Sequence, residues 1–233
     1  MPPAGAARSA IIRRAVADLP EIIPLFPLPN LVLFPGVEVP LHIFEPRYRE
    51  MIADARECHG IIGMTLLRGD WEKEYYGCPE IFHVGCAGKI DRLVGLPDGR
   101  SNLILRGLSE FRVLCEYRDR PYRQAAIRAC PPEPALLELD DETMVYLRDL
   151  LTAYLGRSAW EVWRELVDQR GLRDAELVNF LCFHLDFSTL EKQTLLEACD
   201  ERIGCLLDIL TFKLEERKLG PRGQGSGGSG VVQ

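Results

Sequence analysis

The sequence changes texture once, at Cys130-Pro-Pro-Glu-Pro134. Proline fixes φ and removes a backbone donor, so neither a strand nor a helix interior runs through such a segment. Upstream, apolar runs are short and broken by Pro and Gly. Downstream, apolar residues fall at helical spacing. The chain is therefore predicted to be α+β, with its boundary near residue 131. Charge divides at the same place. Residues 1–132 carry 17 Lys+Arg against 16 Asp+Glu, and residues 133–233 carry 11 against 19. The net charge of −7 belongs to the helical half. That balance argues against a general nucleic-acid binder, which should be basic.

In the first half, strands are expected at Ile22–Phe26, Val37–Phe44, Ile61–Leu67, His83–Leu93, Asn102–Arg106, Phe111–Tyr117 and Arg123–Ala129. Leu96-Pro-Asp-Gly99 reads as a hairpin turn, with Gly99 at the position of positive φ. One helix interrupts the strands. It opens at Glu45-Pro46, runs to about Glu57, and places Tyr48, Met51, Ile52 and Ala55 on one face.

In the second half, Asp140 or Asp141 caps a helix that stops at Gly156. Ser158 and Glu161 form a capping box for the next, which ends at Gly171. Asp174 caps a third, apolar on most sides and so central. Ser188 and Glu191 form a further capping box, and Asp200 caps the last helix, striped by Ile203, Leu207, Leu210 and Leu214. The expected organisation is a flexible N-terminus (1–19), a β-rich part (20–131), a helical bundle (132–219) and a disordered Gly/Ser-rich tail (220–233).

The 233-residue chain is long enough to bury a core without disulfides, so its eight cysteines read as free thiols. Cys115, Cys182 and Cys205 lie in apolar runs, as buried thiols do. No apolar run approaches the about 18–20 residues of a membrane span, and Arg13 and Arg14 follow rather than precede the apolar pair Ile11–Ile12. The cytoplasm is the expected compartment, with no membrane partner.

Catalytic patterns are missing. There is no phosphate-binding Gly-rich loop. Ser101, Ser109, Ser158 and Ser188 sit in no nucleophile elbow, and five lysines leave few Ser–Lys pairs. Cys58, His59, Cys78, His83 and Cys86 are close in sequence. However, they form no Cys-x2-Cys knuckle, and strand alternation puts His83 and Cys86 on opposite faces. The expectation is a protein that is not an enzyme and holds neither metal nor cofactor. The run Arg118-Asp-Arg-Pro-Tyr-Arg123 mixes cations with an aromatic, as some RNA-binding loops do, although such clusters are more often solvated loop charges.

The most distinctive stretch is Ile23-Pro-Leu-Phe-Pro-Leu-Pro-Asn-Leu-Val-Leu-Phe-Pro-Gly36, followed by Val39-Pro-Leu-His-Ile-Phe-Glu-Pro-Arg-Tyr48. It resembles the opening of the Lon protease N-terminal, substrate-binding domain. Val84-Gly-Cys-Ala-Gly-Lys-Ile90 looks like the family's Val-Gly strand, and Glu191-Lys-Gln-Thr-Leu-Leu-Glu197 like its Lys-Gln-x-Leu-Leu-Glu helix. Gly107-Leu-Ser-Glu-Phe-Arg112 looks like its Gly-x-x-Arg-Phe-Arg element, with Glu110 where arginine is common. The resemblance covers about residues 20–218. It implies a PUA-like β pseudo-barrel carrying one helix, followed by an α-helical bundle. It also implies a non-catalytic module that binds unfolded or damaged polypeptides, an adaptor or chaperone-like factor in protein quality control. Its partner would be an ATP-dependent protease or a chaperone. Neither the ATPase nor the peptidase signature of Lon occurs here, so the chain resembles a stand-alone member.

A polypeptide reader needs exposed apolar surface and open backbone groups. The candidate substrate-binding residues are Leu28, Leu31 and Phe34 in the Pro-rich loop, and Tyr117, Tyr122, Trp160 and Trp163 near the junction of the two halves. Core packing is the competing use for each. RNA binding, by analogy with PUA-like folds, is the alternative function and would depend on Arg118, Arg120 and Arg123.

Overall fold

The computed structural model describes residues 19–74, 77–130 and 139–219. The Pro-rich connector after Cys130, the leading segment before Leu19 and the Gly/Ser-rich tail lie outside the described residues.

Six strands form one mixed sheet: β1 (Ile22–Leu28), β2 (Glu38–Ile43), β3 (Ile61–Leu66), β4 (Val84–Gly95), β5 (Ser101–Tyr117) and β6 (Arg123–Ala129). Their order is β2-β5-β4-β3-β1-β6. The sheet closes because β5 is long enough to serve three neighbours. Its first half pairs with β2, its second half with β6, and its length with β4. Only β1 and β3 run parallel among the described pairs. Their crossover contains β2 and helix α1 (Pro46–Glu57).

Alternation along the strands sorts the core into two faces. Ile23, Leu25, Ala87, Phe111, Val113, Ala125 and Ile127 fill one cluster, the barrel interior. Phe26, Met64, Val84, Cys86 and Leu105 point the other way, into a second cluster shared with α1 and the helical half. Tyr48, Met51, Ile52 and Ala55 are the buried residues of α1, as their spacing predicted.

The predicted pair of strands at 102–106 and 111–117 is a single strand. Gly107 stays within the sheet opposite Gly88, and its N–H donates to the Val37 carbonyl while its own carbonyl accepts from Gly36. A Cβ at Gly107 would lie 2.1 Å from the Phe34 carbonyl oxygen, so only glycine allows the Pro-rich loop to cross here. The hairpin turn forms as expected, with Gly99 at φ +81°.

The helical half contains α2 (Asp141–Leu155), α3 (Arg157–Arg170), α4 (Asp174–His184), α5 (Thr189–Glu197) and α6 (Arg202–Leu219). Asp140 caps α2 by accepting from Thr143 N at 2.7 Å, and the Ser188–Glu191 capping box is complete. Three expected caps are different. Gly156, at φ +83°, ends α2 and immediately starts α3, so Ser158 falls inside the first turn and caps nothing. Asp174 is itself the first residue of α4, and its carboxylate instead accepts from Leu139 N at 3.1 Å. Asp200 lies within a short 3-10 turn, Cys199–Glu201, before α6 begins. α4 is central as predicted, with Leu177 through Cys182 buried.

All eight cysteines are free thiols. Cys182 is buried, which pushes its pKa up to about 12. Cys115 is exposed, contrary to expectation, because an irregularity between Val113 and Cys115 breaks the alternation of β5.

The halves meet through a buried polar junction. Arg202 donates to the carbonyls of Leu195 and Leu196, to the Asn179 side chain and to the Glu110 carboxylate of β5. Its guanidinium lies 5.4 Å from the Phe34 ring centre. Asn179 donates to the Pro35 carbonyl at 3.1 Å, and Gln193 to the Val84 carbonyl at 3.0 Å. The bonds to Glu110, Pro35 and Val84 each join a helix to the β half.

Candidate functional site

Two segments that differ in origin meet at one end of the barrel. The Glu45-Pro46 step opens α1, with Glu45 as its N-cap residue and Pro46 at the first helical position. The connection from β5 to β6 brings Arg118, Arg120, Pro121 and Tyr122 beside it. Between them, with Pro27 and the 77–79 segment, lies a cleft of about 450 Å³.

Three of its four arginines are paired with carboxylates among the described residues. Tyr122 donates its hydroxyl to Asp54 at 2.6 Å, and Arg120 lies 3.5 Å from the same carboxylate. Arg123 pairs with Glu116 at 2.6 Å and donates to the Pro79 carbonyl at 2.8 Å. Arg47 pairs with Glu45 at 2.9 Å and stacks over the Tyr48 ring at 4.5 Å. Burial, together with the hydrogen bond and negative charge of Asp54, holds the Tyr122 phenol far above its ordinary pKa. The phenol therefore acts as a donor, not as a base. Among the described residues, four guanidinium groups line the cleft with one carboxylate, that of Glu45.

The predicted binding residues disperse. Tyr122 is buried in the cleft wall, with little ring surface left to offer. Phe34 is fully buried beneath Arg202, because the Pro-rich loop turns it into the core rather than outward. Leu28 and Leu31 are half-buried at the edge of that core. Tyr117 is 39% exposed at the end of β5. Trp160 and Trp163 are half-buried on α3, where Trp163 meets the Phe180 ring at 5.8 Å and His184 at 6.3 Å. Sequence reasoning singled out Arg118, Arg120 and Arg123, and the fold adds Arg47, Pro27 and Pro79 to them. The signal available was the proline beside each segment. Proline marks the helix start and the short turn, and it does not encode that the two segments meet.

A second, shallower depression of about 280 Å³ lies over β2, β5 and β4, beside Leu41, His42 and Val94. Val94 in its lining is 52% exposed, and Phe44, its ring 6.1 Å from that of His42, is 58% exposed.

The chemistry-bearing groups elsewhere have structural uses. Ser109 is buried and donates to the Glu110 carbonyl at 3.2 Å. His83 is exposed while Cys86 is buried, as the opposite-face expectation held. Among the described residues no group of three His, Cys, Asp or Glu side chains could hold a metal ion. No described helix is long and apolar enough to cross a membrane.

The model of the ATP-dependent protease La (LON) substrate-binding domain matches residues 22–211. The chain belongs to this family. The Lon protease of Anaeromyxobacter dehalogenans is 26% identical over 210 residues, which are 87% of this chain and 24% of that protein. The chain thus spans about a quarter of the length of the curated Lon proteases it matches. A Lon N-terminal domain protein from Xanthomonas campestris superposes with a TM-score of 0.59 at 25% identity, covering 82% of this chain and 98% of that one. The N-terminal domain of the Mycobacterium avium complex Lon protease shares the fold, with a TM-score of 0.62 at 19% identity over 84% of this chain and 98% of its own. The chain shares with these structures an α+β fold of a six-stranded mixed sheet and a helical half.

Proposed function

We propose that this chain binds segments of polypeptide without cutting them and serves as an adaptor in protein quality control. It would present unfolded or damaged chains to an ATP-dependent protease or a chaperone in the cytoplasm. The observation that carries this reading is the match to a substrate-binding domain over nearly all described residues. The cleft at the end of the barrel supports it. Rigid proline walls and guanidinium donors offer a polypeptide both apolar contact and fixed hydrogen-bond donors.

Nucleic acid is the second reading, favoured by the four arginines of the cleft and opposed by the −7 net charge. Fluorescence anisotropy with a labelled, permanently unfolded polypeptide and structured RNA as competitor separates the two. Saturable polypeptide binding that RNA leaves intact is expected. Displacement by RNA with steep salt dependence would transfer the function to nucleic acid.

A further inference from the structure

We infer that the cleft between α1 and the β5–β6 connection is a reader of acidic residues in extended polypeptide. This rests on the polypeptide-binding reading above and names the class of segment it selects.

Three of the four arginines of the cleft are ion-paired among the described residues, and Arg118 adds an unbalanced positive charge on a negative molecule. Among the described residues, Arg47, Arg118, Arg120 and Arg123 line it with Glu45 as the one carboxylate in the lining. The carboxylates that hold Arg120 and Arg123, Asp54 and Glu116, lie outside that lining. Asp119, between two of the arginines in sequence, is outside it as well. These anchors orient the guanidinium planes and so lower the entropy lost when a ligand binds. Arg118 is exposed and has no ion-pair partner among the described residues. It is free to take a carboxylate in a two-pronged hydrogen bond.

The walls fit a peptide better than a polyanion. Pro46 and Pro121 bring exposed apolar rings that accept the aliphatic parts of neighbouring residues, over a floor that includes the buried Pro27 and Pro79. The cleft is about 450 Å³, room for a few side chains and not a track for a phosphate backbone. The helical half, with 11 Lys+Arg against 19 Asp+Glu, repels a long polyanion but hardly affects one or two carboxylates screened by salt.

The test uses three labelled, unstructured peptides that share their apolar residues and carry Glu, Gln or Lys at the remaining positions. Anisotropy titrations are run on the full chain, on Arg118→Gln/Arg120→Gln, and on Arg128→Gln, an exposed arginine elsewhere on β6. Both cleft side chains are exposed, and urea midpoints confirm that the variants fold. The Glu peptide is expected to bind about tenfold tighter than the Gln peptide, and the Lys peptide weakest. The double variant should bring the Glu peptide to the Gln level and leave the Gln peptide unchanged, while Arg128→Gln changes neither. Equal binding of Glu and Gln peptides, unaffected by the double variant, overturns acidic selection and leaves polypeptide binding standing. Binding of none overturns both. Tight RNA binding lost in the double variant assigns the cleft to nucleic acid and overturns the inference.

Discussion

Glu110 occupies a position where the resembling Lon element commonly has arginine, and the structure supplies a reason it is tolerated. Its carboxylate is fully buried against Arg202, which is itself nearly buried. Burial pulls the Arg202 pKa down, but the adjacent Glu110 charge wins and raises it. Removing one partner leaves the other charge buried alone. Arg202→Met should therefore cost about 3–5 kcal/mol in urea unfolding. Glu110→Met together with Arg202→Met should recover much of that loss, because the desolvation penalty then disappears from both sides. An additive double variant would show that the pair is not coupled. His184 supplies a pH signature. Burial first, then the charges of Arg170 and Lys192, lowers its pKa below the ordinary 6.5. An unfolded chain takes up that proton near pH 6.5 while the folded chain resists it, so unfolding binds a proton and stability falls as the pH drops through that value. The melting temperature should be lower at about pH 5.5 than at about pH 7.5, in a window above the carboxylate range. His184→Gln should flatten that slope, and His59, lowered by burial and by Lys89, accounts for a remainder. An unchanged slope in His184→Gln would place the pH response elsewhere.

At the scale of single elements, glycine explains both what the sequence showed and what it concealed. Gly85 of the Val-Gly strand leaves no room for a side chain, since a Cβ there would lie 2.4 Å from the Met64 carbonyl oxygen and 2.8 Å from the Phe111 ring. Gly107 is equally constrained by the Phe34 carbonyl. Gly107→Ala should destabilise the protein by about 1–3 kcal/mol or more, since backbone rather than a flexible side chain must move. Its far-UV spectrum should stay that of a folded chain, and a neutral substitution would mean that the loop crosses Gly107 with room for a methyl group. Local alternation gave the strand faces and most boundaries, and Ser188 was legible as a cap because its Glu191 partner is three residues on. Ser158 with Glu161 shows the same spacing without the cap, because Gly156 had already turned the chain. A capping pattern specifies a helix start only when the preceding backbone arrives extended. The cleft was half legible. Arg118, Arg120 and Arg123 stand together in sequence, but Arg47 reaches them only through the parallel β1–β3 crossover, which no local pattern encodes. Phe34 misled because a Pro-rich loop suggests exposure, whereas this loop folds back over Gly107 and buries its aromatic ring.

At the scale of the whole molecule, the boundary near residue 131 separates two kinds of secondary structure but not two cores. One apolar cluster runs from Phe26, Leu33 and Leu105 of the β half to Leu147, Leu181 and Leu210 of the helical half. The buried bonds of Arg202, Asn179 and Gln193 cross the same boundary, and a half unfolded alone would leave Glu110 buried without its cation or exposed with the barrel opened. Breaking them costs too much for either half to open far on its own. The two halves should therefore unfold together, which the three tryptophans can test. Trp71 reports on the β half, and Trp160 and Trp163 report on the helical half. A Trp160→Phe/Trp163→Phe variant and a Trp71→Phe variant should each show one urea transition by fluorescence, coincident with its own far-UV transition. Adding Asn179→Ala and Gln193→Ala removes two of the crossing bonds, and should shift both transitions to lower urea while keeping them coincident, since the shared apolar cluster remains. Transitions separated in the parent chain would mean that the junction joins two independent folding units. A binding cleft built wholly on the β half would then work without the helices, and with coincident transitions it cannot.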